Sequence, residues 1–219
     1  GDVNHPELTG RIDASKDFTG SSYGFADRNG HGTHCLGTVG GSSLKIGVAN
    51  GCRLLNGKVL GDSGSGSDSG IAAGIDWAVE QGAAVISMSL GSSSPSQRIK
   101  DACDRAAVKG VWVVAAAGNE GNAGVGYPGG FPSCMSVAAV DRNFKVAGFS
   151  SRGNKLDTSG PGVQIVSAKP GGSYQEMSGT SMATPFVAGL LTCLRGGMIA
   201  NGAPIPNTEE LRRLLFNRS

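Results

Sequence analysis

The chain has three histidines, five cysteines and no common metal-binding spacing of either. His-Glu-x-x-His and Cys-x-x-Cys are both missing, so the pair His31 and His34 could be half a zinc site only with partners the sequence does not offer. There is no Gly-x-x-x-x-Gly-Lys-Ser/Thr, which leaves a phosphate-binding loop unsupported. No apolar run reads as long enough to span a membrane. The net charge is only +2 with no basic cluster, which argues against nucleic acid as the main partner. No repeat or low-complexity linker divides the 219 residues, and the length suits one domain. An odd number of cysteines leaves at least one unpaired. Cys103 and Cys134 could form a disulfide, but sequence alone does not decide it. Cys35 and Cys193 lie in apolar helical runs and read as small buried hydrophobes.

Glycine is what the chain has in abundance. Thirty-seven glycines are too many for a helix bundle and suit a fold of tight turns and backbone-lined clefts. Apolar segments predict strands at Leu54–Leu60, Ala84–Leu90, Val111–Ala117, Met135–Val140 and Gln164–Ser167. Helices are expected at Thr33–Val39, Ser69–Glu80, Ser96–Val108, Ser181–Arg195 and Thr208–Phe216. Val85-Ile86-Ser87-Met88 and Val111-Trp112-Val113-Val114 lack clean apolar/polar alternation, as strands buried on both faces do. The fold class is therefore α/β, a mostly parallel sheet with helices on both faces in three layers. Functional groups then belong at the carboxyl ends of the strands.

Three segments carry candidate chemistry. Gly179-Thr180-Ser181-Met182-Ala183-Thr184-Pro185 puts a serine at a helix start, where the helix dipole favours a nucleophile or an anion. Pro185 is tolerated in a first turn, whose N–H groups have no partner. An ordinary helix cap would read the same. Asn29-Gly30-His31-Gly32-Thr33-His34-Cys35 offers a base for such a serine, with glycines giving access to His31. In Val113 to Gly121 an apolar strand runs into small residues and ends at Asn119, whose amide could donate to a developing oxyanion or simply form a turn.

His-Gly-Thr-His, Ala-Ala-Gly-Asn and Gly-Thr-Ser-Met-Ala-Thr-Pro in this order resemble the subtilisin family of serine proteases, the subtilases. The likeness covers nearly the whole chain. It implies a subtilisin-like fold and an endopeptidase with His31 as general base, Ser181 as nucleophile and Asn119 as oxyanion donor. Gly64-Ser65-Gly66 and Ser89-Leu90-Gly91 resemble the segments that pair with an extended polypeptide substrate. Ala116, Gly118 and Gly126 resemble the walls of the first specificity pocket, with Glu120 the nearby charge. Cys35 and the short connection from Gly40 to Ile46 are closer to the proteinase K branch. That branch implies a structural calcium ion, with no organic cofactor. Its ligands would be the carboxylate of Asp157 and the carbonyls of Pro132 and Cys134. The likeness further implies a pro-segment, a monomer and a secreted protein. A peptide-binding pseudoprotease of the same fold is the alternative.

Rival protease readings fail. Gly61-Asp62-Ser63-Gly64 resembles the nucleophile motif of chymotrypsin-like enzymes, but lies too close in sequence to His31 for a two-barrel fold. The α/β-hydrolases place serine before histidine.

The N-terminus departs from the family pattern. His5-Pro6-Glu7-Leu8 matches the segment that follows the triad aspartate, but counting back seven positions from His5 runs off the chain. Asp2 has neither a preceding apolar strand nor a following glycine, and reads as a surface-loop residue. Residues 1–219 are accordingly expected to be a peptidase domain incomplete at the N-terminus and at the C-terminus.

Overall fold

The structure, a computed structural model, describes residues 1–216. In chain order the elements are β1 (Ile12–Asp17), α1 (His31–Gly40), β2 (Leu54–Lys58), α2 (Asp68–Glu80), β3 (Val85–Met88), α3 (Gln97–Val108) and β4 (Trp112–Ala116). There follow β5 (Cys134–Val140), β6 (Thr158–Pro161), β7 (Ile165–Lys169), β8 (Ser173–Met177), α4 (Thr180–Ala200) and α5 (Thr208–Phe216).

Strands β3-β4-β5-β6 form a parallel sheet in that order, β1 pairs with β2 in parallel, and β7 and β8 make an antiparallel hairpin. β4 and β5 are buried at every position. Side chains alternate across a strand, so Val113 and Ala115 join Ile71, Ile75 and Ile99 of α2 and α3. Trp112 and Val114 face the opposite layer, with Ala183, Val187 and Leu191 of α4 and Leu211 of α5. Both faces are apolar, which is why these strands show no alternation in sequence. The three-layer expectation is met: the fold is α/β with a mostly parallel sheet.

All ten expected elements are present, with ends shifted by a few residues. The missed strands have little strand signal. β1 is Ile-Asp-Ala-Ser-Lys-Asp, and β6 is Thr-Ser-Gly-Pro at a sheet edge, where proline is tolerated. α4 continues past Arg195 through Gly196 and Gly197 to Ala200. Each glycine costs a helix only about 1 kcal/mol, and Met198 beyond them packs on the core. By length and composition alone α4 passes for a membrane-crossing helix, as the core helix of a folded domain also can. Here its buried residues are core contacts with β4 and β5.

β2 and β3 are not paired with each other. Between them lies a cavity of about 1110 Å³, lined by residues of β2 from Leu54 to Lys58 and of β3 from Val85 to Met88. β3 is the exception among the apolar core strands: Val85, Ile86 and Ser87 are only half-buried. Ser87 Oγ has no hydrogen-bond partner among the described residues.

Candidate functional site

Asn119 follows the carboxyl end of β4, and Ser181 stands in the first turn of α4. Gly118, with φ of 109°, turns the chain between β4 and Asn119. A Cβ at Gly118 would sit 2.4 Å from Glu120 Oε2 and 2.9 Å from Ser151 Oγ, side-chain atoms that would have to shift, and the positive φ itself favours glycine. Asn119 is exposed, yet its amide is fixed. Oδ1 accepts from Thr180 N at 2.9 Å and from Thr180 Oγ1 at 3.0 Å. Thr180 Oγ1 in turn accepts from Gly118 N at 3.3 Å. A main-chain N–H can only donate, so the oxygen of the amide must face Thr180. Nδ2 is then left without a protein acceptor among the described residues, near Gly179. The N–H of Ser181 belongs to the same helical turn, which has no intrahelical acceptor. Nδ2 and Ser181 N each lie 3.7 Å from the point where a Cβ at Gly179 would stand, so two donors border the same space in front of α4.

Pro185 does something different from what its sequence position suggested. α4 begins at Thr180, so Pro185 lies beyond the first turn. A residue there would normally donate its N–H to the carbonyl of Ser181, four positions back. Proline has no N–H, and the freed Ser181 carbonyl accepts instead from Ser89 Oγ at 2.7 Å and Cys35 Sγ at 3.6 Å. The Ser181 hydroxyl rests against Ser89 O at 3.4 Å. The nucleophile candidate is therefore tied to the segment after β3 and to α1.

His31 opens α1, and Cys35 lies one turn further along the same helix, so the Cys35–Ser181 contact places the start of α1 beside the start of α4. α1 also packs closely on β7: a Cβ at Gly37 would stand 2.6 Å from Ser167 Oγ. The loop before His31 is held by Asp27. Its Oδ1 accepts from Asn29 N at 2.9 Å and Gly30 N at 2.8 Å, and its Oδ2 from Thr33 N at 2.8 Å and Thr33 Oγ1 at 2.6 Å. Burial would raise the Asp27 pKa, but these hydrogen bonds outweigh it and hold the group ionised below the usual carboxylate range. Burial lowers the pKa of His31, with the Asp27 charge pulling the other way, so the imidazole is neutral and able to accept a proton near pH 7. Cys35, the other potential nucleophile here, is pushed up to about 11 by burial and stays a thiol. Among the described residues no carboxylate is hydrogen-bonded to the His31 ring, and none joins that ring to Ser181.

The remaining sequence candidates are placed as follows. Gly64, Ser65 and Gly66 form an exposed rim, turned by Gly64 N to Gly61 O at 2.9 Å and Gly61 N to Ser65 O at 2.8 Å. Ser89, Leu90 and Gly91 lie across from it, and both segments line the cavity that also reaches His31. Next to Gly91, Ser92 and Tyr127 exchange two main-chain hydrogen bonds of 2.8 Å. Gly126 N donates to Ala117 O at 2.9 Å, so Ala116, Gly118 and Gly126 gather at the end of β4. The Glu120 carboxylate accepts from Ser151 Oγ at 3.0 Å. Asp2 behaves as a loop residue: its carboxylate accepts from Gly171 N at 2.9 Å and Asn4 N at 3.1 Å. His34 is buried, and its Nε2 donates to Ile165 O, 2.9 Å away.

The expected calcium ligands are brought together, but around a different cation. Arg212 of α5 bonds Asp157 Oδ1 through Nε at 2.9 Å, Asp157 Oδ2 through Nη2 at 3.1 Å and Pro132 O through Nη1 at 2.6 Å. Its Nη2 also donates to Cys134 O. The residues as arranged do not fit a calcium ion, because a guanidinium already takes all of the oxygens it would use. Among the described residues no group of three His, Cys, Asp or Glu side chains could hold a metal.

Cys103 and Cys134 are both buried thiols, and contact with Cys103 together with burial pushes the Cys134 thiol up. Cys193 is exposed rather than buried, because it falls on the outer side of α4. Sequence reasoning missed the clamps: Asp27, the Thr180 grip on Asn119, the Ser89 hydroxyl and Arg212. The Asp-x-Asn-Gly turn before His31 and the missing N–H at Pro185 were the available signals for the first and third.

Residues 2–219 match the Subtilase family. Subtilisin DY of Bacillus licheniformis is 47% identical over 204 residues, covering 90% of this chain and 72% of that protein. The thermostable alkaline protease of Halalkalibacterium halodurans is 43% identical over 198 residues, covering 89% of this chain and 54% of that one. M-protease of Shouchella clausii is 44% identical over 194 residues, with shares of 87% and 50%. The chain thus spans about half the length of these last two relatives. Among solved structures, Sphericase superposes with a TM-score of 0.86 at 38% identity, over 100% of this chain and 79% of that one. A cold adapted subtilisin-like serine proteinase gives 0.88 at 36% identity, over 100% and 78%. With three site segments gathered at one end of the sheet and a family match along almost its whole length, this chain belongs to the subtilase family.

Proposed function

We propose that this chain is the peptidase domain of a serine endopeptidase. Ser181 Oγ attacks the peptide carbonyl while His31 takes its proton and later passes it to the leaving amine. The oxyanion is held by Asn119 Nδ2 and the Ser181 N–H. Water then attacks the acyl carbon as His31 takes its proton, and His31 returns that proton to the departing Ser181 Oγ, releasing the carboxylic acid. The observation that carries this reading is the fixed Asn119 amide, whose oxygen is spent on Thr180 and whose nitrogen is left to donate. A peptide-binding relative without turnover would have no use for that arrangement. Extended polypeptide binds as an added strand between Gly64–Gly66 and Ser89–Gly91. The first pocket is Ala116, Gly118 and Gly126.

The triad carboxylate belongs, in the same proposal, to one further parallel strand filling the gap between β2 and β3. Two features support it: two strand edges that line one cavity and are not paired with each other, and the half-buried apolar β3. Gly1 lines the same cavity, with its nitrogen 2.8 Å from Asn56 Oδ1 of β2. By analogy with relatives named alkaline proteases, we place the complete protein outside the cell, folded with the aid of a pro-segment and acting as a monomer.

A peptide library tests this reading on the complete protein. Cleavage within extended peptides is expected, with broad preference for apolar residues at the first and fourth pockets and Lys or Arg tolerated beside Glu120. Strict selection for acidic residues or proline at the first pocket contradicts the pocket assignment. No cleavage of any peptide contradicts the endopeptidase.

A further inference from the structure

We propose that Arg212 is a built-in cation, standing where the family likeness implies a calcium ion and making the stability of that site independent of the metal.

The site gathers oxygens from three separate stretches. Asp157 precedes β6, and its side chain is almost fully buried, at 6% exposure. Its Oδ2 also accepts from Ser136 N of β5 at 2.9 Å. Pro132 and Cys134 supply main-chain carbonyls from the end of the loop that begins at Tyr127. A buried carboxylate beside carbonyl oxygens is strongly biased toward a positive charge. Arg212 meets it as a planar fork, with three nitrogens on four oxygens and an Asp157 pairing that is bidentate. Calcium would need 6–8 oxygens at about 2.3–2.6 Å, and the fork fills the space between the same atoms. The two cations exclude each other.

The consequence is structural coupling. A dissociable ion binds from solution, whereas Arg212 is part of α5 and always present. Leu211, beside it, is fully buried against the layer of Trp112. Asn207 and Glu210 fix the start of the helix through reciprocal hydrogen bonds of 2.9 and 3.0 Å, a capping box. α5 is thereby docked by one apolar anchor and one ionic anchor. The ionic anchor holds the end of the loop that carries Tyr127, whose main chain pairs with Ser92 next to the substrate segment.

The test compares calcium-induced shifts of the unfolding midpoint, measured by calorimetry on the complete protein in EDTA and in millimolar calcium. The proteins are the wild type, Arg212→Gln, Asp157→Asn and the double variant. Taking differences removes calcium sites elsewhere. Arg212→Gln is expected to gain an extra calcium-dependent rise of about 2–4 °C, the response of a domain this size to a weak ligand site. That gain should vanish in the double variant. No gain in Arg212→Gln, or a gain that survives Asp157→Asn, overturns the proposal. Should Arg212→Gln fail to fold, the wild type and Asp157→Asn decide. Equal calcium responses support Arg212 as the occupant, and a wild-type response that Asp157→Asn removes shows the metal site to be real.

Discussion

An aspartate on a strand in the gap between β2 and β3 should raise kcat about 3 × 10⁴-fold over the same protein with alanine there. The magnitude is that measured for the corresponding carboxylate of subtilisin, a relative of this chain, and is carried over rather than derived. Its physical basis can be seen in this structure. Burial disfavours the charged form of His31, while catalysis must create that form when Ser181 gives up its proton. Asp27 offsets this only in part: burial outweighs its charge, and its oxygens accept from Asn29, Gly30 and Thr33 and not from the His31 ring. A second carboxylate hydrogen-bonded to the ring would set the tautomer and stabilise the imidazolium. The gap itself adds a packing argument. An extended segment there would pair with the facing edges of β2 and β3 and cover apolar surface now open to the cavity. The measurement compares residues 1–219 with a chain extended upstream through an apolar strand ending in Asp-Thr/Ser-Gly, each expressed with a pro-segment. The shorter chain is expected to be nearly inactive. Casein cleavage at equal rates would show that the catalytic carboxylate lies within residues 1–219, and Asp2 and Asp27 would be mutated next.

Asn119→Ala should lower kcat by about 10²–10³-fold with little change in KM. This too is the subtilisin magnitude, borrowed for a relative. The amide meets full charge only once the tetrahedral intermediate forms, so its loss falls on the transition state and not on substrate binding. Thr180→Val gives a graded control. It removes the hydroxyl that grips Asn119 Oδ1 but keeps the Thr180 N–H, so the amide is less firmly oriented and kcat falls by less than in Asn119→Ala. Steady-state kinetics on one peptide substrate separates the cases. A rise in KM at constant kcat would make Asn119 a substrate contact instead.

The layers of the fold were legible because β4 and β5 are apolar on both faces, α2 and α4 are apolar runs of helical length, and α3 carries an apolar stripe at Ile99, Ala102, Cys103 and Ala106. Polar β1 and the Thr-Ser-Gly-Pro edge strand β6 were not, since their pairing depends on neighbours distant in sequence. The positions of His31, Asn119 and Ser181 could be read from three short motifs. What locks them could not. The grip of Thr180 on Asn119 and of Ser89 on the Ser181 carbonyl joins segments about 60 and 90 residues apart, and only tertiary structure brings them together. The calcium expectation shows the same limit: Asp157, Pro132 and Cys134 were correctly grouped, but Arg212, from the far end of the chain, takes the place of the ion.

Fluorophosphonate labelling of the complete protein, followed by peptide mapping, tests the central claim most directly. Ser181 should carry the adduct, and His31→Ala should label far more slowly because the hydroxyl then lacks its base. An adduct on another residue, equal labelling in His31→Ala, or continued peptide cleavage with Ser181 unlabelled would contradict the account.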